Sequence, residues 1–115
     1  MLEPTKNLET VMIKRIETNI KDQKLEQIKT AGFILKPNDP DIKSLYERIK
    51  GQFEARGISV LLAENSAKMI GETGIVFDAM CEASDFLVSL GGDGTLLSLV
   101  RRSYGHNKPV VGINA

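Results

Sequence analysis

The sequence predicts an α/β domain, in which a parallel sheet of about four strands is covered by helices on both faces. Short apolar runs alternate along the chain with segments whose apolar residues recur every three to four positions, which is the pattern of strands alternating with helices. Residues 85–90 are almost continuously apolar, as expected for a strand that is buried on both faces. With 115 residues, the chain is long enough for one hydrophobic core and too short for two.

Residues 8–28 are predicted to form one amphipathic helix ahead of this domain. Apolar residues recur every four positions along it, and the polar face between them carries balanced charges rather than the basic surplus of a membrane-surface helix. We therefore expect a helix that packs on protein, with a preference for another subunit, so that the full-length protein would form a homo-oligomer. The predicted domains are a helical extension, residues 1–30, and an α/β nucleotide-binding domain, residues 31–115. The recurring apolar residues are Leu8, Met12, Ile16 and Ile20.

The first half of the α/β domain is predicted to be strand, helix, strand. Residues 33–35 are an apolar run that ends at the turn-forming residues 36–40. Apolar residues with helical spacing follow from 42 to 53, and Gly57 stands where helices commonly stop. Residues 58–62 are the second apolar run. This order places one helix between the first two strands.

The second half continues the alternation after a less regular segment. We expect a separate turn at residues 67–70 and a short helix at 75–83, followed by the buried strand 85–90. A helix at 95–104 and a strand at 108–113 complete the pattern. Such alternation implies right-handed crossovers between parallel strands, a three-layer Rossmann-like fold. The residues of the last helix expected to face inward are Leu96, Leu99 and Val100.

Composition excludes several classes of function. No apolar run approaches the roughly 18 residues of a membrane span and the N-terminus does not resemble a signal peptide, so we expect a cytoplasmic protein without a membrane partner. Fifteen basic side chains balance fifteen acidic ones, whereas nucleic-acid binders usually carry a basic surplus. The single cysteine, Cys81, and single histidine, His106, exclude an internal disulfide and a His/Cys zinc site. We expect Cys81 to pack in the core and His106 to be a solvated turn residue.

One motif, Gly91-Gly92-Asp93-Gly94-Thr95, has the residues of a ligand-binding loop. It lies between the buried strand and a helix start, where α/β sheets bind ligands. Glycines allow close approach of the backbone to a phosphate, and the amides at a helix N-terminus favour anions. An acidic residue in such a loop is explained if Asp93 holds a metal ion or accepts a proton from an attacking hydroxyl.

Other readings of this loop are less consistent with its residues. A Walker loop requires a lysine that the loop lacks, and a dinucleotide fingerprint requires glycine where Leu97 stands. A purely structural alternative remains, in which the loop is a tight turn and Asp93 only caps the following helix.

Two blocks of the sequence resemble the NAD kinase family. The first, residues 90–97 followed by Arg101, contains the Gly-Gly-Asp-Gly-Thr motif, and the second, residues 109–114, reads Pro-Val-Val-Gly-Ile-Asn. The close resemblance covers residues 86–114. Lipid and sugar kinases share the Gly-Gly-Asp-Gly core, so they stay as alternatives, as does a non-catalytic nucleotide-binding or assembly module. The second block favours NAD kinase.

The resemblance implies that the enzyme phosphorylates the 2′-hydroxyl of the NAD adenosine ribose with ATP and Mg²⁺, and that Asp93 is the general base. It implies a β-rich C-terminal domain and a substrate-holding Asn-Glu motif that these 115 residues do not contain. We therefore expect the chain alone to be a truncated and inactive part of the enzyme. The cofactor-binding residues that it implies are Gly91, Gly92, Gly94, Thr95 and Asn114.

Overall fold

The computed structural model describes residues 28–114, which form a four-stranded, all-parallel sheet with helices on both faces. This confirms the predicted α/β class. The predicted helix 8–28 lies outside the described residues except for Ile28, which precedes the first strand. The elements are β1 (Thr30–Leu35), α1 (Ile42–Ala55), β2 (Ser59–Leu62), α2 (Glu64–Met69), α3 (Phe77–Ala83), β3 (Phe86–Leu90), α4 (Asp93–Ser103), a 3-10 turn (Tyr104–His106) and β4 (Val110–Ile113).

The strands are arranged in the order β2-β1-β3-β4. Phe33 of β1 pairs with Leu62 of β2 on one side and with Val88 of β3 on the other. The chain thus moves outward from β1 to β2, crosses back to β3, and then moves outward in the opposite direction to β4. The strand order reverses between β1 and β3, and the carboxyl ends of these two strands border the crevice where α/β sheets bind ligands.

One face of the sheet is covered by α1 through a cluster of aromatic rings. The ring of Phe33 contacts Phe53 and Tyr46 edge-on, with centroids 5.2 and 5.9 Å apart, and Phe53 stacks on Phe86 at 6.0 Å. Burial, followed by the charge of Glu72, raises the pKa of Tyr46 to about 12. This phenol therefore stays neutral and contributes to the core as an apolar ring.

The opposite face packs against α3 and α4. Ile34 and Leu87, which alternate along their strands with the residues of the first face, contact a cluster that includes Met80, Cys81 and Leu99. Cys81 is fully buried, and burial raises the pKa of its thiol. The prediction that Cys81 is a packing residue is confirmed, and the two covered faces make the three layers.

The buried stripe of α4 differs from the predicted one. Leu99 is fully buried, whereas Val100 is 42% exposed, so the inward position predicted for Val100 is wrong. Thr95 and Ser103, one turn before and after Leu99, take the inward positions instead. The Ser103 hydroxyl satisfies its bonding capacity by donating to the Leu99 carbonyl at 2.7 Å, which allows a polar residue on the buried side.

The segment between β2 and β3 contains two helices, where the sequence predicted a turn at 67–70 and a helix at 75–83. α2 is a helix of six residues, and α3 begins two residues later than predicted. The delay arises because Ile75 is extended and forms an isolated parallel bridge with Ala63, donating its amide to the Leu62 carbonyl at 2.9 Å.

β1 begins three residues before the predicted strand. The amides of Lys29 and Thr30 both donate to the Asp85 carboxylate, at 2.8 and 2.9 Å, and this contact fixes the entry to the sheet.

None of the helices in residues 28–114 is long and apolar enough to cross a membrane.

Candidate functional site

A cleft of about 470 Å³ opens at the carboxyl end of β1, between α2 and α4. Its volume lies within the range of small-molecule sites. The floor comes from β1, one wall from α2, and the other wall from the glycine loop and the exposed side of α4. The lining residues are Ile34, Leu35, Lys36, Pro37, Asn65, Ser66, Met69, Gly92, Gly94, Thr95, Ser98 and Arg102.

The glycine loop is fixed to both neighbouring strands. The Gly91 amide donates to the Ile113 carbonyl at 2.9 Å, and the Lys36 amide donates to the Leu90 carbonyl at 2.8 Å. Gly91 is buried with φ +138°, and a Cβ there would collide with the Cβ of Lys36. Only glycine satisfies both requirements. The turn is therefore held in one position beside the cleft.

α4 starts immediately after this turn, with Gly92 as its N-cap residue. The Gly92 carbonyl accepts from the amides of Thr95 and Leu96, at 3.1 and 3.2 Å. The amides of Asp93 and Gly94 precede the first intrahelical bonds and are available to an anion, on the positive end of the helix dipole.

Asp93 is the first residue of α4 and is exposed, and the N-cap position before it is held by Gly92. An acidic side chain in the first turn also favours the helix dipole, so the assignment of Asp93 to the functional site stays a prediction. The carboxylate lies at the carboxyl edge of the sheet between two residues that line the cleft, Gly92 and Gly94, but does not itself line it.

The other predicted site residues lie at the same edge. Gly92, Gly94 and Thr95 line the cleft, and Gly91 is buried behind them. Asn114 follows directly after Ile113, whose carbonyl binds Gly91, so it is adjacent to the loop, but it is exposed and outside the cleft.

The cleft wall from α2 is attached to β1 by a buried hydrogen bond. The amide of Leu35 donates to Ser66 Oγ at 2.9 Å, and Ser66 is only 4% exposed. Met69 lies at the end of α2 and is 46% exposed at the rim. The hydrogen bond therefore holds α2 against β1 and keeps this wall of the cleft in place.

Two basic residues of the cleft were not predicted as site residues. Lys36 follows β1, and its importance depends on β1 and β3 being neighbours, which local patterns do not reveal. Arg102 was detectable, because Thr95, Ser98 and Arg102 follow the i, i+3, i+7 spacing of one helix face. The Arg102 guanidinium lies over the Phe77 ring, 4.1 Å from Cζ to the centroid.

His106 lies in a turn, as predicted, but its ring contacts two carboxylates of α3, which the sequence did not predict. Its Nδ1 lies 2.8 Å from Glu82 Oε1, and its Nε2 lies 3.1 Å from Asp78 Oδ1, both on α3. Hydrogen bonds to Glu82 and then Asp78 raise the pKa of His106. Both nitrogens must donate to make both contacts, so this geometry belongs to the protonated ring.

No group of three or more potential metal-ligating side chains occurs among residues 28–114.

Comparison with curated proteins gives a consistent family. The chain is 49% identical over 88 residues to the NAD kinase of Sulfurimonas denitrificans, which is 76% of this chain and 31% of that protein. It is 47% identical over 92 residues to that of Wolinella succinogenes, 80% of this chain and 32% of that protein. For the NAD kinase of Helicobacter hepaticus, the identity is 40% over 87 residues, 76% of this chain and 29% of that protein.

No protein-family model matches the chain. The chain spans about a third of the length of the curated relatives it matches. The resemblance to NAD kinases that residues 86–114 indicated is confirmed, and it extends over about three-quarters of the chain.

Proposed function

We infer that this chain is the N-terminal α/β domain of an NAD kinase, which transfers the γ-phosphoryl group of ATP to the 2′-hydroxyl of the adenosine ribose of NAD. The observation that carries this inference is the acidic glycine loop, residues 91–95, placed at the reversal of strand order beside a cleft. The identity of 40–49% to NAD kinases supports the choice of NAD over a lipid or sugar as the acceptor.

In the proposed reaction, the Asp93 carboxylate accepts the proton of the ribose 2′-hydroxyl. The ribose oxygen forms a bond to the γ-phosphorus of ATP while the bond from that phosphorus to the β–γ bridging oxygen breaks. ADP leaves with the electron pair, and NADP is formed. Phosphoryl transfer depends mainly on positioning and charge stabilisation, and an exposed carboxylate on a rigid helix start supplies the positioned base.

The glycine loop would hold phosphate oxygens at the start of α4. Gly92 and Gly94 leave the backbone uncovered, and neither has an atom within 4 Å of where a Cβ would stand. Thr95 contributes a hydroxyl to the same wall. Asn114 would support the loop from the end of β4, and Gly91 would fix the loop conformation.

The residues present fit a magnesium ion that is held mostly by substrate. Mg²⁺ usually keeps several waters and binds one or two carboxylates together with substrate phosphates, so a dedicated cluster of protein ligands is not required. Because Asp93 is the proposed base, the ion would be held by substrate phosphates and water, and no residue of this chain is assigned as its ligand. When bound, the ion supplies neutralisation of phosphate charge.

The complete protein is proposed to bind NAD and ATP and to form a homo-oligomer in the cytoplasm, with residues outside this chain completing the substrate site. The Asn-Glu motif and the β-rich domain that the resemblance implies would belong to that remainder. This proposal is consistent with the chain spanning about a third of its relatives.

The test of the proposed base is Asp93→Asn in the full-length protein. Removal of a general base lowers kcat by about 10²- to 10⁴-fold, so NADP formation should fall by that factor while NAD binding is retained. Glu54→Gln, an exposed carboxylate at the end of α1 away from the cleft, is the matched control and should keep the wild-type rate. Unchanged turnover in Asp93→Asn contradicts the base assignment, and transfer to a lipid or sugar but not to NAD contradicts the acceptor.

A further inference from the structure

We propose that the N-terminal segment, residues 8–27, covers the half of the sheet formed by β3 and β4, on the face that packs against α1. These residues precede the described part of the chain, and their apolar stripe supplies the contact surface. The occupant of this face is then the chain's own segment, and not another subunit as the stripe alone suggested. A homo-oligomer would form through other surfaces. This role goes beyond the proposed kinase function and does not depend on it.

The surface that β3 and β4 present on this face is apolar. Val88 pairs with Val111, and Leu90 pairs with Ile113, across the two strands. All four contribute to the cluster that contains the inward residues of α1, whereas Val110 contributes to the cluster on the opposite face. Leu90 is fully buried and Ile113 is only 3% exposed. Parallel sheets occur with both faces covered, so this half of the sheet needs a partner above it.

α1 covers the other half of the face. A helix in a right-handed crossover packs on the strands that it connects, which are β1 and β2 here. Its Phe53 ring reaches β3 at Phe86, the first residue of that strand. β4 lies two strands beyond β1, about 10 Å away, whereas a helix with its side chains has a radius of about 5–6 Å. α2 follows β2 on the far side of the sheet, and α3 and α4 pack on the opposite face. Within residues 28–114, the helices therefore leave β4 without a cover on this side.

The chain arrives at the sheet on this same face. Ile28, the last residue of the predicted helix 8–28, packs against the cluster beneath α1. A single residue, Lys29, separates Ile28 from β1, and its amide donates to the Asp85 carboxylate at 2.8 Å. The connection between the segment and the sheet is therefore short and fixed at the amino ends of β1 and β3. Because α1 occupies the β1–β2 half, the space open to the segment is above β3 and β4.

The length of the segment places Ile20 at the level of Val111. A helix that ends at Ile28 and runs antiparallel to the strands has Ile20 about 12 Å before its end, at 1.5 Å per residue. Val111 is level with Phe33 through the ladder of β1, β3 and β4. Phe33 lies three residues beyond Thr30, about 10 Å along the strand at about 3.3 Å per residue. The two distances agree to within about one helical residue and a half.

The spacing of the stripe then matches the spacing of the strand face. Ile16 and Ile20 are four residues apart, which is about 6 Å along a helix. Val111 and Ile113 are two residues apart on one face of β4, which is about 6.6 Å along a strand. With Ile20 on Val111, Ile16 would pack on Ile113.

A cover at this place would also support the glycine loop. The Ile113 carbonyl accepts from the Gly91 amide at 2.9 Å, and β4 is the outermost strand of the described sheet. An outermost strand that is packed on both faces opens less readily than one packed on a single face. The segment would therefore hold the loop in place through β4 without touching it.

The first test crosslinks the two surfaces in the full-length protein. Ile20→Cys is combined with Val111→Cys, or with Val110→Cys as the matched control, because these two valines are neighbours that face opposite sides of the sheet. A short bis-maleimide is added, and the crosslinked peptides are identified by mass spectrometry. A crosslink within one chain is expected for the Val111 pair and not for the Val110 pair. Equal yields for the two pairs, no crosslink, or a crosslink between two chains would overturn the proposal.

The second test leaves β4 unaltered and measures amide hydrogen exchange in the full-length protein. Ile20→Asp places a carboxylate in the proposed contact, and Thr18→Asp places the same charge on the polar side of the predicted helix. The Gly91 amide should exchange about tenfold faster or more in Ile20→Asp and within about twofold of wild type in Thr18→Asp. Neither test requires NADP formation, so each result stands whatever the reaction of the enzyme. An unchanged Gly91 exchange rate in Ile20→Asp would refute the cover.

Discussion

Replacement of Gly91 by alanine is expected to destabilise the domain strongly, because two separate requirements for glycine coincide there. The residue has φ +138°, a region that L-residues rarely adopt, and an added Cβ would overlap the Cβ of Lys36. The position of a Cβ is fixed by its own backbone. Relief of the overlap therefore requires movement of the chain after β1, which the bond from the Lys36 amide to the Leu90 carbonyl opposes.

The expected loss of stability is the sum of these two costs. A residue held in a sparsely populated backbone region costs on the order of 1–3 kcal/mol. Overpacking in a well-filled site costs about 1–3 kcal/mol more. The total of about 2–6 kcal/mol is a large fraction of the roughly 5–15 kcal/mol that stabilises a typical domain. At about 4–8 °C per kcal/mol for a domain of this size, the Tm should fall by at least about 8 °C.

Urea denaturation of Gly91→Ala and Gly94→Ala measures this directly. Gly94 lies in the first turn of α4 with nothing within 4 Å of a Cβ, so alanine there is expected to be neutral or stabilising by up to about 1 kcal/mol. Lys36→Gly removes the opposing Cβ, and the double variant should recover about 1–3 kcal/mol of the Gly91→Ala loss as a coupling energy. A Gly91→Ala loss below about 0.5 kcal/mol, or no coupling to position 36, would refute the reasoning.

Two further predictions concern the turn that follows α4 and the packing of α4 itself. The raised pKa of His106 means that its contacts stabilise the fold at pH below the unfolded value of 6.5 and that this contribution is lost as pH rises through the folded pKa. An NMR titration of the ring should give a midpoint above 6.5, which Glu82→Gln lowers, and a wild-type midpoint at or below 6.5 would contradict the assignment. Leu99→Ala should lower the free energy of unfolding by about 2–5 kcal/mol in chemical denaturation, because Leu99 is fully buried. Leu97→Ala, at a site 50% exposed, should change it by no more than about 0.5 kcal/mol. Similar losses for the two variants would be evidence against the packing described for α4.

The order of strands and helices in the α/β domain was predictable because each element carries its own periodicity. The stripe from Ile42 to Phe53 and the continuous apolar run of β3 are local signals, and the structure follows them. The glycine loop was equally visible as a motif, and the second block at residues 109–114, rather than the loop alone, favoured a functional reading over a structural turn.

The features that the sequence did not predict depend on contacts between distant residues. The bridge from Ile75 to Ala63 delays the start of α3, and the Asp85 carboxylate extends β1 to Thr30. Lys36 becomes a site residue only because β1 and β3 are neighbours, and strand order is set by the whole sheet. Val100 is excluded from the core while Ser103, whose hydroxyl bonds to the Leu99 carbonyl, is buried, and this depends on geometry rather than on hydropathy.

The reversal of strand order also determines how a bound molecule would affect the domain. One wall of the cleft belongs to the β1–α2 half of the chain and the other to the β3–α4 half, so a ligand that contacts both acts as a non-covalent cross-link between them. At a ligand concentration one hundred times its Kd, such binding adds about 2.7 kcal/mol to the free energy of unfolding. The two halves would then open together rather than separately. Amide hydrogen exchange would slow in β1 and in α4 alike, including at amides far from any atom of the ligand.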